Sequence, residues 1–336
     1  MDKETLKQKI CTVARTAYMK GLTAGWGGNI SLRLDDGNIL ITPHRKSLAF
    51  LKQEDIITVD ENGRLLEGDR QPSSEVGMQC ALYRAMEVNA VVHLHPQALN
   101  VLAVREVPLE FMTLECRLIL GGTPPVVEQT TPVVTDFDSM MSAFRLSNII
   151  VLKNHGTVAV GDDLEEAFTL TDVAEEAARM TIDGHLIRNM GAVDLGAEVT
   201  ERKSSPALPV FSDEHMARVQ ALVNADAEAQ ELGKATDLTV RYAIKQAEDG
   251  KVFNMHFDQG RIVRITADED ADFVNLGKKE IWIHLFNGRL DPFAAVSQNK
   301  LRLVKGQIVD LSKWYTPFYR IFALWRDAPV LELNHE

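Results

Sequence analysis

The N-terminal part of the chain alternates short apolar runs with amphipathic stretches, which predicts mixed strands and helices. Residues 1–20 have helical spacing, and LTAGWGGNISLRL leads from a glycine-rich turn into a strand. GNILITP predicts a second strand that Pro43 ends. PSSEVGMQCALYRAMEV predicts a helix that is capped by Ser73 or Ser74 and carries Glu75 in its first turn.

Two further apolar runs predict strands, and a long helix follows them. NAVVHLHP is β-rich and ends at Pro96, and SNIIVLKNHGTVAVG is another β-rich run. DDLEEAFTLTDVAEEAARMTIDGHLI begins with acidic residues and has apolar positions at helical spacing. Strands and helices mixed in this way predict one layered α/β domain over residues 1–204.

The pattern then changes twice. A stretch rich in proline and serine comes first, TERKSSPALPVFSDEH, and one polar helix is predicted after it, in DEHMARVQALVNADAEAQELGKA. Residues 205–235 are therefore interpreted as a linker and helix. Residues 236–336 predict a second, smaller α+β domain. Its strands are expected in DLTVRYAIK, KVFNMHFDQGRIVRITA, ADFVNLG and KLRLVKG, with aromatic-rich helices between and after them.

Composition excludes several classes of protein. The chain has 336 residues, 45% of them hydrophobic, and its net charge of −12 argues against a nucleic-acid or anionic-membrane partner. The N-terminus lacks the apolar core of a signal peptide, and no apolar run approaches the roughly 20 residues that span a bilayer. Cys11, Cys80 and Cys116 are unpatterned, which predicts buried thiols in a reducing cytoplasm.

Histidines are the first candidates for chemistry. Side chains alternate faces along a strand, so His93 and His95 project to one side about 7 Å apart and can converge on a metal ion. His155, in VLKNHGTV, is a third candidate, and three histidines would leave one position of a Zn²⁺ ion open, as catalytic sites require. The alternatives are surface histidines on an edge strand and a hydrogen-bonded turn histidine.

Glu75 and its neighbours are open to two interpretations as well. At a helix start the carboxylate can be a cap, or it can be a base beside a metal. The glycines of GGN at residues 27–29 and the hydroxyls of Ser73 and Ser74 could cradle an anion.

Five motifs occur together and in order: GNIS (28–31), ITP (41–43), PSSE (72–75), VVHLHP (91–96) and NHG (154–156). They resemble the class II aldolase/adducin family, in its sugar-phosphate aldolase and epimerase branch, over about residues 5–200. The resemblance implies an α/β/α sandwich around a mixed or antiparallel sheet. It also implies a homotetramer with active sites between subunits.

The resemblance further implies a role for each candidate residue. His93, His95 and His155 would bind Zn²⁺, or Mn²⁺ or another divalent ion instead, and Glu75 would transfer protons. The pKa of Glu75 is expected to be tuned near the working pH by burial and the metal. The anionic end of the substrate would meet residues that line the pocket: Gly28, Asn29, Ser73 and Ser74.

Two departures from the family leave the reaction open. The phosphate-using aldolases have a small pair such as Thr-Gly after TP, whereas this chain has His44 and Arg45. An arginine can bind a carboxylate through two hydrogen bonds, so the substrate anion would be a carboxylate or a different group altogether, unless the pair forms only a basic surface turn. The same aldolases use a tyrosine in the neighbourhood of Phe111 and Met112, and none occurs there. A decarboxylase would need a metal, an anion clamp and a proton donor, so the His44-Arg45 pair suits it.

The second domain resembles the sterol carrier protein 2-like (SCP2-like) fold. The segments that carry the resemblance are FDQGRIVRI and the stretch from ADFVNLG to KLRLVKG. Such domains often enclose an apolar tunnel that binds lipids or other hydrophobic ligands. The alternative is that its aromatic residues only pack a core.

The resulting function hypothesis is a metal-dependent carbon–carbon lyase. It would cleave a hydroxy-carbonyl or hydroxy-acid substrate, which could be hydrophobic or aromatic, in aldolase fashion through a metal-stabilised enediolate. The alternatives are a metal-dependent decarboxylase of a hydroxylated aromatic acid, a non-catalytic adducin-like binding protein, and a lipid carrier whose first domain only organises oligomers.

Overall fold

The chain folds as two units in the computed structural model, Met1–Asp194 and Leu195–Glu336. The structure describes residues 2–129, 131, 134, 136–189 and 206–332. The domain boundaries at residues 204 and 235 stay predictions. Among the described residues, no helix is both long and apolar enough to cross a membrane.

One sheet forms the centre of the first unit. Its strands within the described residues are β1 (Asn29–Arg33), β2 (Ile39–Ile41), β3 (Ile57–Val59), β4 (Leu65–Glu67), β5 (Ala90–Leu94), β6 (Val126–Val127), β7 (Ile149–Leu152) and β8 (Gly156–Gly161). The order across the sheet is β4-β3-β2-β1-β5-β8-β7-β6. β6 and β7 run parallel and the other neighbours antiparallel, so the sheet is mixed.

Helices cover both faces of this sheet. In the described part of the unit they are α1 (Lys3–Met19), α2 (Val76–Ala85), α3 (Gln97–Val104), α4 (Leu114–Leu120), α5 (Phe137–Phe144) and α6 (Leu164–Asn189), with 3₁₀ turns at Leu48–Phe50 and Gln53–Asp55. Val91 of β5 packs in a cluster with α2 and α5, whereas Val92, on the opposite face, packs with α1 and the start of α6. This arrangement confirms the predicted α/β/α sandwich, and it explains why every residue of β5, β7 and β8 is buried.

One local prediction in this unit is wrong, and another is refined by the structure. The helix of PSSE begins at Val76 with Glu75 at its N-cap position, and neither Ser73 nor Ser74 caps it. The Ser73 hydroxyl accepts a hydrogen bond from the Glu75 N–H instead, at 3.3 Å. The run SNIIVLKNHGTVAVG is two antiparallel strands, β7 and β8, joined by a turn in which Asn154 has a φ of 63°. Asparagine adopts this left-handed conformation more readily than most residues.

The second unit is α+β, as predicted. Its described strands are β9 (Val240–Gln246), β10 (Val252–Asp258), β11 (Arg261–Thr266), β12 (Phe273–Gly277) and β13 (Leu301–Lys305), in the order β11-β10-β9-β12-β13. Its described helices are α7 (Asp213–Ala225), α8 (Ala227–Ala235), α9 (Lys279–Phe286), α10 (Pro292–Ser297), α11 (Ile308–Leu311) and α12 (Tyr315–Trp325), with a 3₁₀ turn at Ser312–Trp314. Trp282, Phe286 and Trp325 are buried in its aromatic core.

The single helix predicted before this unit is in fact two, α7 and α8. Asp226 separates them, because its carboxylate accepts a hydrogen bond from the Ala229 N–H and so caps α8. The same carboxylate holds Arg320 of α12 in two hydrogen bonds, at 3.0 and 2.6 Å. Both helices contribute buried residues to the core of the second unit, including Val219 and Ala229.

Candidate metal centre

Three histidines converge at one end of the sheet of the first unit. His93 lies on β5, His95 lies one residue past its end, and His155 lies in the turn between β7 and β8. β5 pairs with β8 so that His93 is opposite Val158, which brings this turn beside the end of β5. The ring centroids are 4.8 to 5.0 Å apart, and one nitrogen of each ring lies within 4.8 Å of the others.

A backbone contact fixes the orientation of the His93 ring, which is fully buried. Nδ1 lies 2.7 Å from the carbonyl oxygen of Thr157 and must donate to it, because a carbonyl oxygen only accepts. The lone pair of a neutral His93 is then on Nε2. This atom faces His95 Nε2 and a carboxylate oxygen of Glu75, each at 3.0 Å. Two imidazole nitrogens and a carboxylate oxygen that lie this close together suit a shared cation, and such carbonyl contacts orient metal-binding histidines.

Glu75 closes the group from the N-cap of α2. It is 7% exposed, its Oε2 accepts a hydrogen bond from Asn29 Nδ2 at 2.7 Å, and its Oε1 lies 3.7 Å from His155 Nε2. Within the described residues Oε1 is buried without a hydrogen-bond partner. An orphaned carboxylate oxygen beside three imidazoles fits a divalent metal ion held by the histidines.

A buried polar network supports Asn29 and was not predicted. Gln79 donates from its side-chain nitrogen to Asn29 Oδ1 and accepts from Ser31 Oγ, which lies 2.8 Å from the Tyr83 hydroxyl. Gln79 follows Glu75 by four residues, one helical turn, and is fully buried. A glutamine at that spacing on the inner face of a helix is the signal that could have indicated this support.

Electrostatics favour an ionised Glu75 beside neutral His95 and His155. Burial opposes ionisation of Glu75, but contacts with His93, His155 and Asn29 outweigh burial and lower its pKa to about 2. Burial, together with His93 and His155, lowers the pKa of His95 to about 3, and burial and His93 lower the pKa of His155. These are the protonation states that bind metals. The expected tuning of the Glu75 pKa by burial together with a bound metal stays a prediction.

The glycines of GGN provide space rather than only flexibility. A Cβ atom added at Gly27 would lie 2.6 Å from Nδ1 of His95. Gly28 has a φ of 78°, and a Cβ there would lie 2.9 Å from the carbonyl oxygen of His93. Any side chain at these two positions would therefore push against the histidine segment.

A cavity of about 240 Å³ opens beside the histidines. It is lined by Trp26, Gly27, Gly28, Asn29, Pro43, His44, Arg45, Ser73, Ser74, Glu75, His95 and His155. All the predicted site residues except His93 are in this lining. Their roles in binding and catalysis stay predictions. Among the described lining residues there is no tyrosine, and neither Phe111 nor Met112 belongs to the lining.

An aromatic ring and a cation stand together at the rim of the cavity. Trp26 is 67% exposed, and the guanidinium carbon of Arg45 lies 5.9 Å from the centre of its ring. Arg45 has a φ of 52°, an uncommon conformation for a residue with a side chain. Trp26 was not predicted as a site residue.

Known proteins match the first unit over most of its length. Residues 8–182 match the family described as class II aldolase and adducin N-terminal domain. The chain is 34% identical over 183 residues to an L-fuculose phosphate aldolase from Methanococcus maripaludis, a match that covers 54% of this chain and 96% of the relative. It is 30% identical over 200 residues to a 3-oxo-tetronate 4-phosphate decarboxylase from Haemophilus influenzae, a match that covers 54% of this chain and 90% of the relative.

Two solved structures are also similar. The crystal structure of L-fuculose-1-phosphate aldolase from Thermus thermophilus has a TM-score of 0.50 and 28% identity, and the match covers 56% of this chain and 98% of that chain. A crystal structure of sterol carrier protein 2 has a TM-score of 0.33 and 19% identity, covering 35% of this chain and 97% of that chain.

The space at Gly27 gives a test of the centre. Gly27→Ala should displace His95 and lower the metal content after reconstitution with Zn²⁺ or Mn²⁺, and His95→Ala should abolish binding, since a site of this kind needs about three protein ligands. Elemental analysis of the purified protein measures both effects. Gly77→Ala is the matched control, because a Cβ there meets nothing within 4 Å. Full metal occupancy in His95→Ala would show that the ligand assignment is wrong.

Proposed function

Because the chain belongs to the class II aldolase and adducin family, we propose that it is a divalent-metal-dependent carbon–carbon lyase with aldolase-type activity. Both relatives are named as lyases, an aldolase and a decarboxylase, which confirms the expectation of an enzyme of that class. The bond that is cleaved and the substrate, a hydroxy-carbonyl compound or hydroxy acid, belong to the proposal. The observation that carries it is the convergence of His93, His95 and His155 beside Glu75.

The three histidines would hold the metal. Zn²⁺ is the ion proposed, because it is commonly bound by three protein side chains in catalytic sites, with Mn²⁺ or another divalent ion as the alternative. When bound, such an ion supplies a Lewis acid that stabilises negative charge on the oxygens of a substrate.

Glu75 is the residue proposed to move the proton. Its carboxylate borders the same cavity as His95 and His155, and in its ionised form it can accept a proton from a bound substrate. The hydrogen bond from Asn29 holds one oxygen, which leaves Oε1 to receive the proton of a substrate hydroxyl and return it to carbon.

Arg45 and His44, together with Ser73 and Ser74 in the cavity lining, would hold the anionic end of the substrate. A guanidinium group forms two parallel hydrogen bonds with a carboxylate, so we expect that end to be a carboxylate. The backbone at Gly28 and the serine hydroxyls would add neutral donors.

A decarboxylase of a hydroxylated aromatic acid is the second candidate. The exposed ring of Trp26 beside Arg45 favours it, because the pair offers a flat apolar surface and a cation to an aromatic carboxylate. The absence of a tyrosine from the described lining points the same way. The lyase names of the relatives weigh against a non-catalytic adducin-like protein. The homotetramer, with active sites between subunits, also stays a proposal.

A product screen distinguishes the two reactions. The metal-loaded enzyme is incubated with pooled hydroxy acids and aldol products and with hydroxylated aromatic acids, and released aldehyde and CO₂ are measured. We expect an aldehyde, and we expect Glu75→Gln to lower turnover about 10²- to 10⁴-fold while retaining metal, because only the proton acceptor is lost. Glu67→Gln, at an exposed position on β4, is the control.

One outcome of this screen would reject the aldolase proposal, and another would reject the role of Glu75. CO₂ from an aromatic acid without any aldehyde would replace the aldolase by the decarboxylase. Unchanged turnover in Glu75→Gln would remove the carboxylate from the reaction.

Substitution of Arg45 tests the chemical nature of the substrate anion. Arg45→Ala should raise the KM of a carboxylate substrate about 10- to 100-fold, the effect of losing a charge-assisted hydrogen-bonded pair, while metal content is unchanged. Arg64→Ala, on an exposed turn outside the cavity lining, should leave KM as it is. An unchanged KM in Arg45→Ala would rule out the carboxylate clamp.

A further inference from the structure

Asp55 is a buried carboxylate that lies outside the cavity lining. It ends the 3₁₀ turn before β3 and is 3% exposed. Its Oδ2 accepts hydrogen bonds from Lys46 Nζ at 2.9 Å and from the Lys52 N–H at 3.0 Å, and its Oδ1 lies 2.9 Å from Arg70 Nε. A carboxylate is retained at such a place only when donors satisfy it, so these three contacts are a built arrangement.

The two cations on Asp55 belong to the two loops that carry the proposed anion-binding side chains. We call residues 43–46 the HR loop and residues 70–74 the SS loop. Lys46 directly follows Arg45 in the HR loop, and Arg70 begins the SS loop. Each loop therefore has an anchor on the same carboxylate.

The backbones of the two loops are also joined directly. The His44 N–H donates to the carbonyl oxygen of Gln71 at 2.8 Å, and Pro43 and Pro72 form an isolated bridge. Neither proline has an N–H to donate, so few backbone bonds join the loops here. The side-chain contacts to Asp55 supply the remaining restraint.

We propose that Asp55 is a positioning residue for substrate binding: its buried carboxylate anchors the HR and SS loops together and fixes the spacing between Arg45 and the serine hydroxyls. The inference rests on the proposed function, since it takes these two loops to hold the anionic end of the substrate.

The charges around Asp55 also support this role. In the described part of the chain Lys46 and Arg70 are not among the residues that line the cavity, whereas Arg45 is. Pairing with Asp55 therefore holds two cations away from the anion site and leaves one guanidinium at its rim. Without the carboxylate, Lys46 and Arg70 would repel each other and the loops would separate.

Hydrogen exchange of the full-length, zinc-loaded protein tests the anchoring without a known substrate. Asp55→Asn should raise exchange about tenfold in both loops, because the buried carboxylate loses its charge-assisted contacts with the partly exposed Lys46 and the exposed Arg70. Lys46→Met should affect mainly the HR loop, and Arg70→Met mainly the SS loop. Asp60→Asn is the matched control, since among the described residues this carboxylate accepts hydrogen bonds only from the Asn62 and Arg64 N–H groups of a nearby turn.

Binding of glycolate, a monoanionic hydroxy acid, is measured by calorimetry on the same samples. We expect an affinity lower by about tenfold in Asp55→Asn, with unchanged zinc content, and unchanged affinity in Asp60→Asn. A purely structural role would lower the melting temperature but leave the affinity of the folded protein as it is, and that result would overturn the inference. If Asp55→Asn does not fold, the separate loop responses of Lys46→Met and Arg70→Met decide the question.

Failure of the inference is distinguishable from failure of the proposed function. If the wild-type protein binds zinc and glycolate, but Asp55→Asn leaves hydrogen exchange in both loops unchanged, only the role of Asp55 is overturned. A wild-type protein that binds no zinc, or binds zinc but no glycolate, contradicts the site itself and the inference with it.

Discussion

The hydrogen bond between His93 and the carbonyl of Thr157 joins the sheet to the chemistry of the site. It crosses from β5 to β8, so it exists only because these two strands pair in the observed register. The same pairing places the turn that carries His155 next to the end of β5. Once Nδ1 is committed to the carbonyl, the ring can offer only Nε2 to its neighbours.

The remaining groups are arranged around that fixed ring. Glu75 is held by Asn29, which is held in turn by Gln79 behind it, all of them buried. Buried polar groups are costly unless each one is satisfied, and a fully paired network also becomes rigid. Oε1 of Glu75 stands out because it is unpaired among the described residues. An enzyme retains an unsatisfied group of this kind where a substrate or ion completes it.

The sequence predicts those parts of the molecule that depend on local pattern. Alternation along NAVVHLHP places both histidines on one side, and the order of the motifs indicates the sandwich. The predicted cap of α2 is wrong. A Ser-Ser-Glu sequence normally caps a helix with one of its serines, whereas here Glu75 occupies the N-cap position and its side chain points toward the histidines. The break at Asp226 could not be predicted, since its partner Arg320 is 94 residues away along the chain.

Contacts between distant loops could not be predicted from the sequence either. Lys46, Asp55 and Arg70 are each ordinary charged residues in polar stretches, and nothing in their spacing shows that they meet. Trp26 could be recognised as part of the site only when the cavity showed it at the rim beside Arg45. These features depend on how the loops are arranged in three dimensions, which hydrophobic periodicity does not encode.

The most direct test of the metal centre is anomalous diffraction at the zinc edge from crystals of the zinc-loaded protein. We expect one strong peak in the first unit, about 2.0–2.1 Å from a nitrogen of His93, His95 and His155 alike. A peak bound to other residues, or no peak at these three histidines, would contradict the proposed centre.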